Sequence, residues 1–276
     1  LLASSAASDV YKRQKLNHIM QNNLIDKQLV DTTMAQCGVS NLDDASIRDT
    51  VKIANLLEKA TGEKFIRMEM GVPGLAPSRI GTEAEIEALK HGVAQFYPML
   101  EGYPVLSEEA SRFVKNFMDV DIRPEGIIPT VGAMQASYVA FMALTECHKG
   151  KDTILFIDPG FPVQKTQLEV IGKPYQTFDI YEYREEKLEA KLREYLDRGN
   201  IAGIVYSNPN NPSWVCLTDF ELQVIGKLAT EYDTIILEDL AYFAMDFRKD
   251  LSHPGKAPFQ PTVAKYTDNY IFMISS

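Results

Sequence analysis

Two short apolar runs, Ile201 to Tyr206 and Thr234 to Leu237, each stop at a cluster of polar turn residues. The first ends in Ser207-Asn208-Pro209-Asn210-Asn211-Pro212 and the second in Glu238-Asp239-Leu240-Ala241-Tyr242. Both runs are β-branched and nearly free of polar residues, the pattern of strands covered on both faces of a parallel sheet. The carboxyl ends of such strands face one crevice, which is where open α/β sheets bind ligands. What arrives there is a carboxylate, a phenol and a carboxamide, on turns stiffened by proline.

The same grammar extends outward. Thr153 to Ile157, Pro174 to Phe178 and Tyr270 to Ile274 read as further strands, and Ile127 to Thr130 as a short strand candidate. Gly132-Ala133-Met134-Gln135 opens an apolar helix running to about Cys147. Its unpaired backbone N–H groups and positive dipole end would point at the crevice, as a phosphate site requires. The glycine lets an oxyanion approach the backbone. A helix from about Glu185 to Arg198 alternates in charge and reads as a solvated face. Thr218-Asp219-Phe220-Glu221 is a capping box that starts a helix with Leu222, Ile225, Leu228 and Ala229 on one side.

Nearer the N-terminus, Lys15 to about Lys64 reads as an arm followed by one helix, capped by Asp43 or Asp44, with Ile47, Val51, Ala54 and Leu56 or Leu57 at helical spacing. Thr82-Glu83-Ala84-Glu85 is expected to open a helix burying Ile86, Leu89 and Val93. Ser107 is expected to cap another, with Ala110, Phe113, Val114 and Phe117 on one face. Phe65 to Pro77 and Tyr97 to Pro104 have loop composition, and the proline-rich Phe247 to Thr267 reads as a surface excursion.

Composition removes several function classes. The 276 residues carry a net charge of −10 with no basic run able to neutralise phosphates, which argues against a nucleic-acid partner. Cys37, Cys147 and Cys216 are odd in number and scattered, as in the reduced thiols of a cytoplasmic protein. His18, His91, His148 and His253 have no partner at metal-ligand spacing, so no metal is expected. No apolar run approaches the roughly 20 residues of a membrane span, so no membrane association is expected. Leu1 to Gln14 resembles translated adapter sequence and is excluded from fold reasoning.

Either polar turn alone is ordinary turn chemistry. Together, in order, after suitable strands, they resemble the N-P-x-N-P and D-x-A-Y turns of the class I/II aminotransferases, the aspartate aminotransferase-like enzymes of pyridoxal-phosphate (PLP) fold type I. That resemblance implies an α/β large domain with a mostly parallel sheet sandwiched by helices, plus an incomplete small domain. It implies an arm and part of the small domain over 15–75 and the PLP-binding domain over 76–276. It further implies that Asn211 and Tyr242 hydrogen-bond the phenolic oxygen of the cofactor, and that Asp239 pairs with the pyridine nitrogen. Asp239 and Tyr242 are thereby the candidate catalytic residues. Gly132, Ala133 and Met134 would hold the phosphate, Phe161 in Asp158-Pro159-Gly160-Phe161-Pro162 would stack on the ring, and Gln164 could line the same cleft. Ser275 would touch the phosphate, Tyr97 would reach the neighbouring subunit's cofactor in a homodimer, and Gly71 would lie at the substrate's edge. Ser213-Trp214 departs from the Thr-Gly more usual after the N-P turn, which leaves the shape of that loop open.

In the resembled family the serine strand runs into S-x-x-K, so the Schiff-base lysine is expected two residues past Ser276. The expected function is therefore transfer of an amino group between an amino acid and a 2-oxo acid, in a chain cut before its lysine. The alternatives are another PLP reaction on the same scaffold (a β-lyase, decarboxylase or synthase) or a binding remnant without chemistry.

Overall fold

The computed structural model describes residues 25–71 and 74–274, and the chain divides into two compact units, Leu1–Val93 and Ala94–Ser276. The expectations placed on Leu1 to Gln14 and on Ser275 lie outside the described residues.

Among the described residues the first unit carries two helices before Lys64 where one was expected: α1 (Lys27–Gln36) and α2 (Ile47–Thr61). Helix α2 is not capped by Asp43 or Asp44, which sit in a 3-10 turn behind Asn41. Its cap is Ser46, whose hydroxyl accepts from the Asp49 N–H while the Asp49 carboxylate accepts from the Ser46 N–H. Ser-x-x-Asp satisfies two orphan donors reciprocally, which a lone aspartate cannot do. Ile53 and Leu57 are buried, whereas Ile47 is exposed. Helix α3 (Arg79–Lys90) starts three residues before Thr82. Thr82 is thus inside the helix, its hydroxyl turned back onto the Ser78 carbonyl at 3.1 Å, and the expected capping box does not form. Ile86, Leu89 and Val93, expected in a core, are exposed.

The second unit begins with α4 (Pro104–Met118), which has Pro104 in its first turn. Proline suits that place because its fixed φ is helical and its missing N–H would have been unpaired. Ser107 consequently lies buried inside the helix instead of capping it. Ile127 to Thr130 forms no strand: a 3-10 turn at Pro124–Gly126 leads into chain without a ladder partner among the described residues. A run of strand-like composition becomes a strand only beside a neighbour. Helix α5 (Gly132–Cys147) follows.

Among the described residues five strands make one sheet: β1 (Thr153–Asp158), β2 (Tyr175–Asp179), β3 (Ile201–Ser207), β4 (Ile235–Leu240) and β5 (Tyr270–Ile274). The order is β2-β1-β3-β4-β5 and every pair is parallel. Helices α6 (Pro162–Val170), α7 (Glu186–Leu196) and α8 (Asp219–Glu231) supply the crossovers. Leu155 and Ile157 of β1 share a core with Leu188 and Leu192 of α7 and Leu222 and Ile225 of α8. Ile154 and Phe156 face the other way, onto Phe141 and Leu144 of α5 and Leu168 of α6. Along the inner strands β1, β3 and β4 both faces are dry, which is why their N-terminal parts read as continuous apolar runs, whereas the edge strands β2 and β5 are only partly covered.

That dryness has a consequence for register. Slipping β3 by one residue would only exchange Ile204 and Val205 between two apolar cores, so side-chain patterning constrains it weakly. The polar ends do constrain it, since the Asn208 N–H donates to the Asp239 carbonyl at 3.0 Å. The segment expected to be a surface excursion is partly built in: Gln260, Thr262 and Val263 are buried. The Gln260 amide donates to the Asn208 carbonyl at 3.3 Å and accepts from the Ala244 N–H at 3.0 Å. Backbone groups held inside need such partners, and proline content does not reveal them.

Candidate functional site

The chain leaves β1 for β2 on one side and returns to β3 on the other, so the strand order reverses between β1 and β3. A crevice opens outside the carboxyl ends at such a point. The two loops flanking it are tied together: the Asn210 side chain donates to the Pro159 carbonyl at 2.6 Å and to the Ser207 hydroxyl at 3.1 Å. Its oxygen accepts from the Ser213 N–H and hydroxyl. Asn208 is likewise consumed, accepting from the Leu217 N–H at 3.1 Å and donating to the Pro261 carbonyl. Asn211 differs: its backbone N–H donates to the Ser207 hydroxyl at 3.1 Å, while its side-chain amide makes no hydrogen bond to another described residue.

Asp239 stands at the end of β4, paired in register with Ser207, and is 7% exposed. One carboxylate oxygen accepts from the Gln164 side-chain amide at 2.9 Å and the other from the Ala241 N–H at 3.0 Å. Burial pushes its carboxyl above the usual aspartate range, and these two bonds oppose the push. A carboxylate placed here has one lone-pair site left on each oxygen and no basic side chain paired with it among the described residues, so a cationic ligand group is the complement it lacks. Tyr242, the residue after Ala241, is half-buried, and its phenol is bonded to no described residue.

Helix α6 connects Asp239 to the glycine turn. Phe161 stands at its N-cap, half-buried, directly after the loop that Asn210 grips. Gln164 reaches Asp239, and Gln167, one turn further on the same face, donates to the Met134 carbonyl at 2.8 Å and accepts from the Ser137 hydroxyl at 2.8 Å. Gly132 has φ +71, in the left-handed region that glycine enters without strain. The Val131 N–H is taken by the Gln135 side chain at 2.6 Å. The N–H groups of Ala133 and Met134 lie in the first helical turn, where no intrahelical acceptor exists.

The residues therefore fit a flat ring with a cationic nitrogen at one end, an acceptor oxygen on its edge and a phosphoryl group at the other end. Among the expected site residues, Asp239, Asn211, Tyr242, Phe161 and the Gly132 to Met134 turn are joined by this network. Tyr97 is fully exposed in a loop, and Gly71 lies in the first unit with open space around its Cα, so neither is tied to it by a described contact. Gln167 was not anticipated, although two amides spaced three apart on a short helix were a readable signal. Glu238 was also missed as a site in its own right. It is fully buried on the opposite face from Asp239, accepting from the Tyr206 and Thr262 hydroxyls and from the Val263 N–H at 3.3 Å. Burial raises its carboxyl to about 7. No cluster of potential metal ligands occurs among the described residues, and none of their helices is long and apolar enough to cross a membrane.

The chain is similar to known proteins over most of its length. The sequence model of the family described as "Aminotransferase class I and II" matches residues 63–276. An aspartate aminotransferase of Pyrococcus horikoshii is 30% identical over 214 residues, covering 76% of this chain and 53% of that protein. A glutamate-pyruvate aminotransferase of Escherichia coli is 27% identical over 185 residues, covering 66% of this chain and 43% of that protein. The solved structure of an alanine aminotransferase from Pyrococcus furiosus superposes with a TM-score of 0.68 at 26% identity, covering 83% of this chain and 56% of that one. The chain spans about half the length of the curated relatives it matches.

Proposed function

The chain belongs to the class I and II aminotransferases, and on that premise we propose that it is the PLP-binding part of an enzyme that moves an amino group between an amino acid and a 2-oxo acid. The observation that carries the reading is the buried Asp239 carboxylate, held by two N–H donors that cannot titrate, beside the uncommitted donors of Asn211 and Tyr242. When bound, PLP supplies an electron sink for the pair left behind as a substrate α-proton departs. Asp239 holds a proton on the pyridine nitrogen, which an uncharged side chain would not do. Asn211 and Tyr242 donate to the phenolic oxygen and fix the ring's rotation. Gly132, Ala133 and Met134 offer the phosphate backbone N–H groups and the positive end of the α5 dipole. Phe161 covers one ring face and excludes water from it.

The reading extends to residues not joined to this network. Ser275 is assigned to the phosphate, Gly71 to the substrate's edge, and Tyr97 to the cofactor of a second subunit. A homodimer is supported by the exposed apolar run of Phe96, Met99 and Leu100, the kind of surface that marks an interface; a cytoplasmic location is part of the same proposal and rests on the scattered, odd number of cysteines. The division into an arm with part of a small domain over 15–75 and a cofactor domain over 76–276 belongs to the same proposal. The test is equilibrium dialysis of the chain against PLP, together with transamination assays of the full-length parent over a panel of amino and 2-oxo acids. Saturable binding of one PLP per chain, lost in Asp239→Ala, is expected. Absence of binding would overturn the reading.

A further inference from the structure

We propose that Trp214 is a positioning residue whose indole orients the Tyr242 phenol, so that a single turn sets both donors to the cofactor ring, Asn211 within it and Tyr242 through the ring contact. The inference rests on the PLP reading above.

The first observation is conformational. Trp214 has φ +61, in the left-handed region where glycine is at ease and a bulky side chain is strained. Such strain persists only where the surroundings over-determine it, and it concentrates at functional sites. Here the Trp214 N–H donates to the Asn210 carbonyl at 2.9 Å and the Asn210 N–H donates to the Val215 carbonyl at 2.9 Å. The backbone is thus closed from both sides, and the direction in which the Trp214 side chain leaves it is set. Asn210 is also the residue that grips the β1 loop, so the indole is referenced to the cleft itself.

The second observation is what the indole touches. It meets Tyr242 edge-on, with ring centroids 5.5 Å apart and planes at 72°, and lies nearly parallel to Phe247 at 6.3 Å and 19°. Edge-on approach within this range is a favoured aromatic geometry. Core packing does not explain the group, because Trp214 is 43% exposed and Phe247 is 81% exposed. The Tyr242 phenol has no hydrogen-bond partner among the described residues, so ring contacts do the orienting. A glycine at 214 would hold the same turn without strain and leave Tyr242 without this wall.

The test uses the 276-residue chain and its W214G, W214F, Y242F and W214G/Y242F variants. W214G removes the ring while keeping a residue at ease with the turn, and W214F keeps an aromatic edge. The readouts are the PLP dissociation constant by equilibrium dialysis and the pH midpoint of the absorbance of bound PLP. W214G is expected to weaken PLP about threefold to tenfold and to move the pH midpoint in the same direction as Y242F. W214F is expected to stay within about twofold of the unmutated chain. In the Y242F background, removing the indole should change affinity less than about twofold, because coupled residues are not additive. An equal loss in both backgrounds, or no loss in W214G, would overturn the proposal while leaving the PLP reading intact. Failure of the unmutated chain to bind PLP would remove that reading and this inference together.

Discussion

Replacing Asp239 with asparagine separates charge from shape. The side chain is 7% exposed, and its oxygens accept from Gln164 at 2.9 Å and from the Ala241 N–H at 3.0 Å. Asparagine presents an oxygen on one side only, so its NH2 must confront one of those donors. Leaving a buried donor unsatisfied costs about 1–3 kcal/mol, and this loss falls on the protein without cofactor. The second loss is the anion facing the ring nitrogen, and a charge-assisted hydrogen bond contributes about 1.5–3 kcal/mol. At 1.36 kcal/mol per tenfold, that amounts to a PLP dissociation constant weakened roughly 10- to 150-fold. Asn211→Ala removes one neutral bond of about 1 kcal/mol, or roughly fivefold, because nothing described is left unpaired behind it. Urea unfolding of the unliganded variants and equilibrium dialysis against PLP measure the two losses separately. Because burial holds the Asp239 carboxyl above its usual range, PLP affinity should also begin to fall on acidification earlier than an ordinary aspartate would predict. Equal weakening in the two variants, or a larger effect of Asn211→Ala, would mean that Asp239 is not the partner of the ring nitrogen.

Glu238 gives a stability prediction of defined sign. Its carboxyl is raised from 4.5 to about 7 in the folded chain. Stability from this group is therefore complete below the unfolded value and is lost as pH rises through the folded one, a fall of about 3 kcal/mol. Urea unfolding at pH 5 and pH 8 should show this loss in the unmutated chain and its absence in Glu238→Gln; the same slope in both would refute the assignment. Gly226→Ala would place a Cβ 2.6 Å from the Tyr266 Cβ and is expected to destabilise by about 1–3 kcal/mol through overpacking, read from the urea midpoint. Thr218→Ala removes the α8 cap and should cost about 1 kcal/mol in the same assay. In these 276 residues Lys249, Lys256 and Lys265 precede β5, so borohydride reduction after PLP incubation should leave no single, stoichiometric pyridoxyl-lysine on peptide mapping.

The parallel sheet was legible because burial on both faces leaves an unmistakable trace, runs such as Ile201 to Tyr206 with no polar residue. The α8 capping box was legible because Thr218 and Glu221 satisfy each other locally. Misreadings arose where the deciding partner is distant or where several caps compete. Thr82 and Ser107 each had the chemistry of a cap, but Ser78 and Pro104 lay upstream, and a helix that has already started overrides a later signal. Ile127 to Thr130 carried strand composition and lacked a neighbour among the described strands. Gln260 and Thr262 looked like loop residues, yet they satisfy Ala244, Asn208 and Glu238 from 16 to 52 positions away. The turns holding Asp239 and Asn211 could be placed from order alone. Gln164 could be placed at the cleft and its spacing to Gln167 was a signal, but the partners the two amides meet, Asp239 and Met134, lie far away in sequence and were not legible from it.

The asparagine turn divides evolutionary freedom unequally among three identical side chains. Asn208 and Asn210 each spend a donor and an acceptor on neighbouring backbone, so few other residues could replace them without loosening the sheet's ends. Asn211 spends only its main chain on the fold. A lineage could exchange it for another short donor and retune the cofactor while the scaffold stayed as it was. New reactivity in descendants of such a chain is therefore expected to begin at position 211, with its two neighbours held fixed by the architecture.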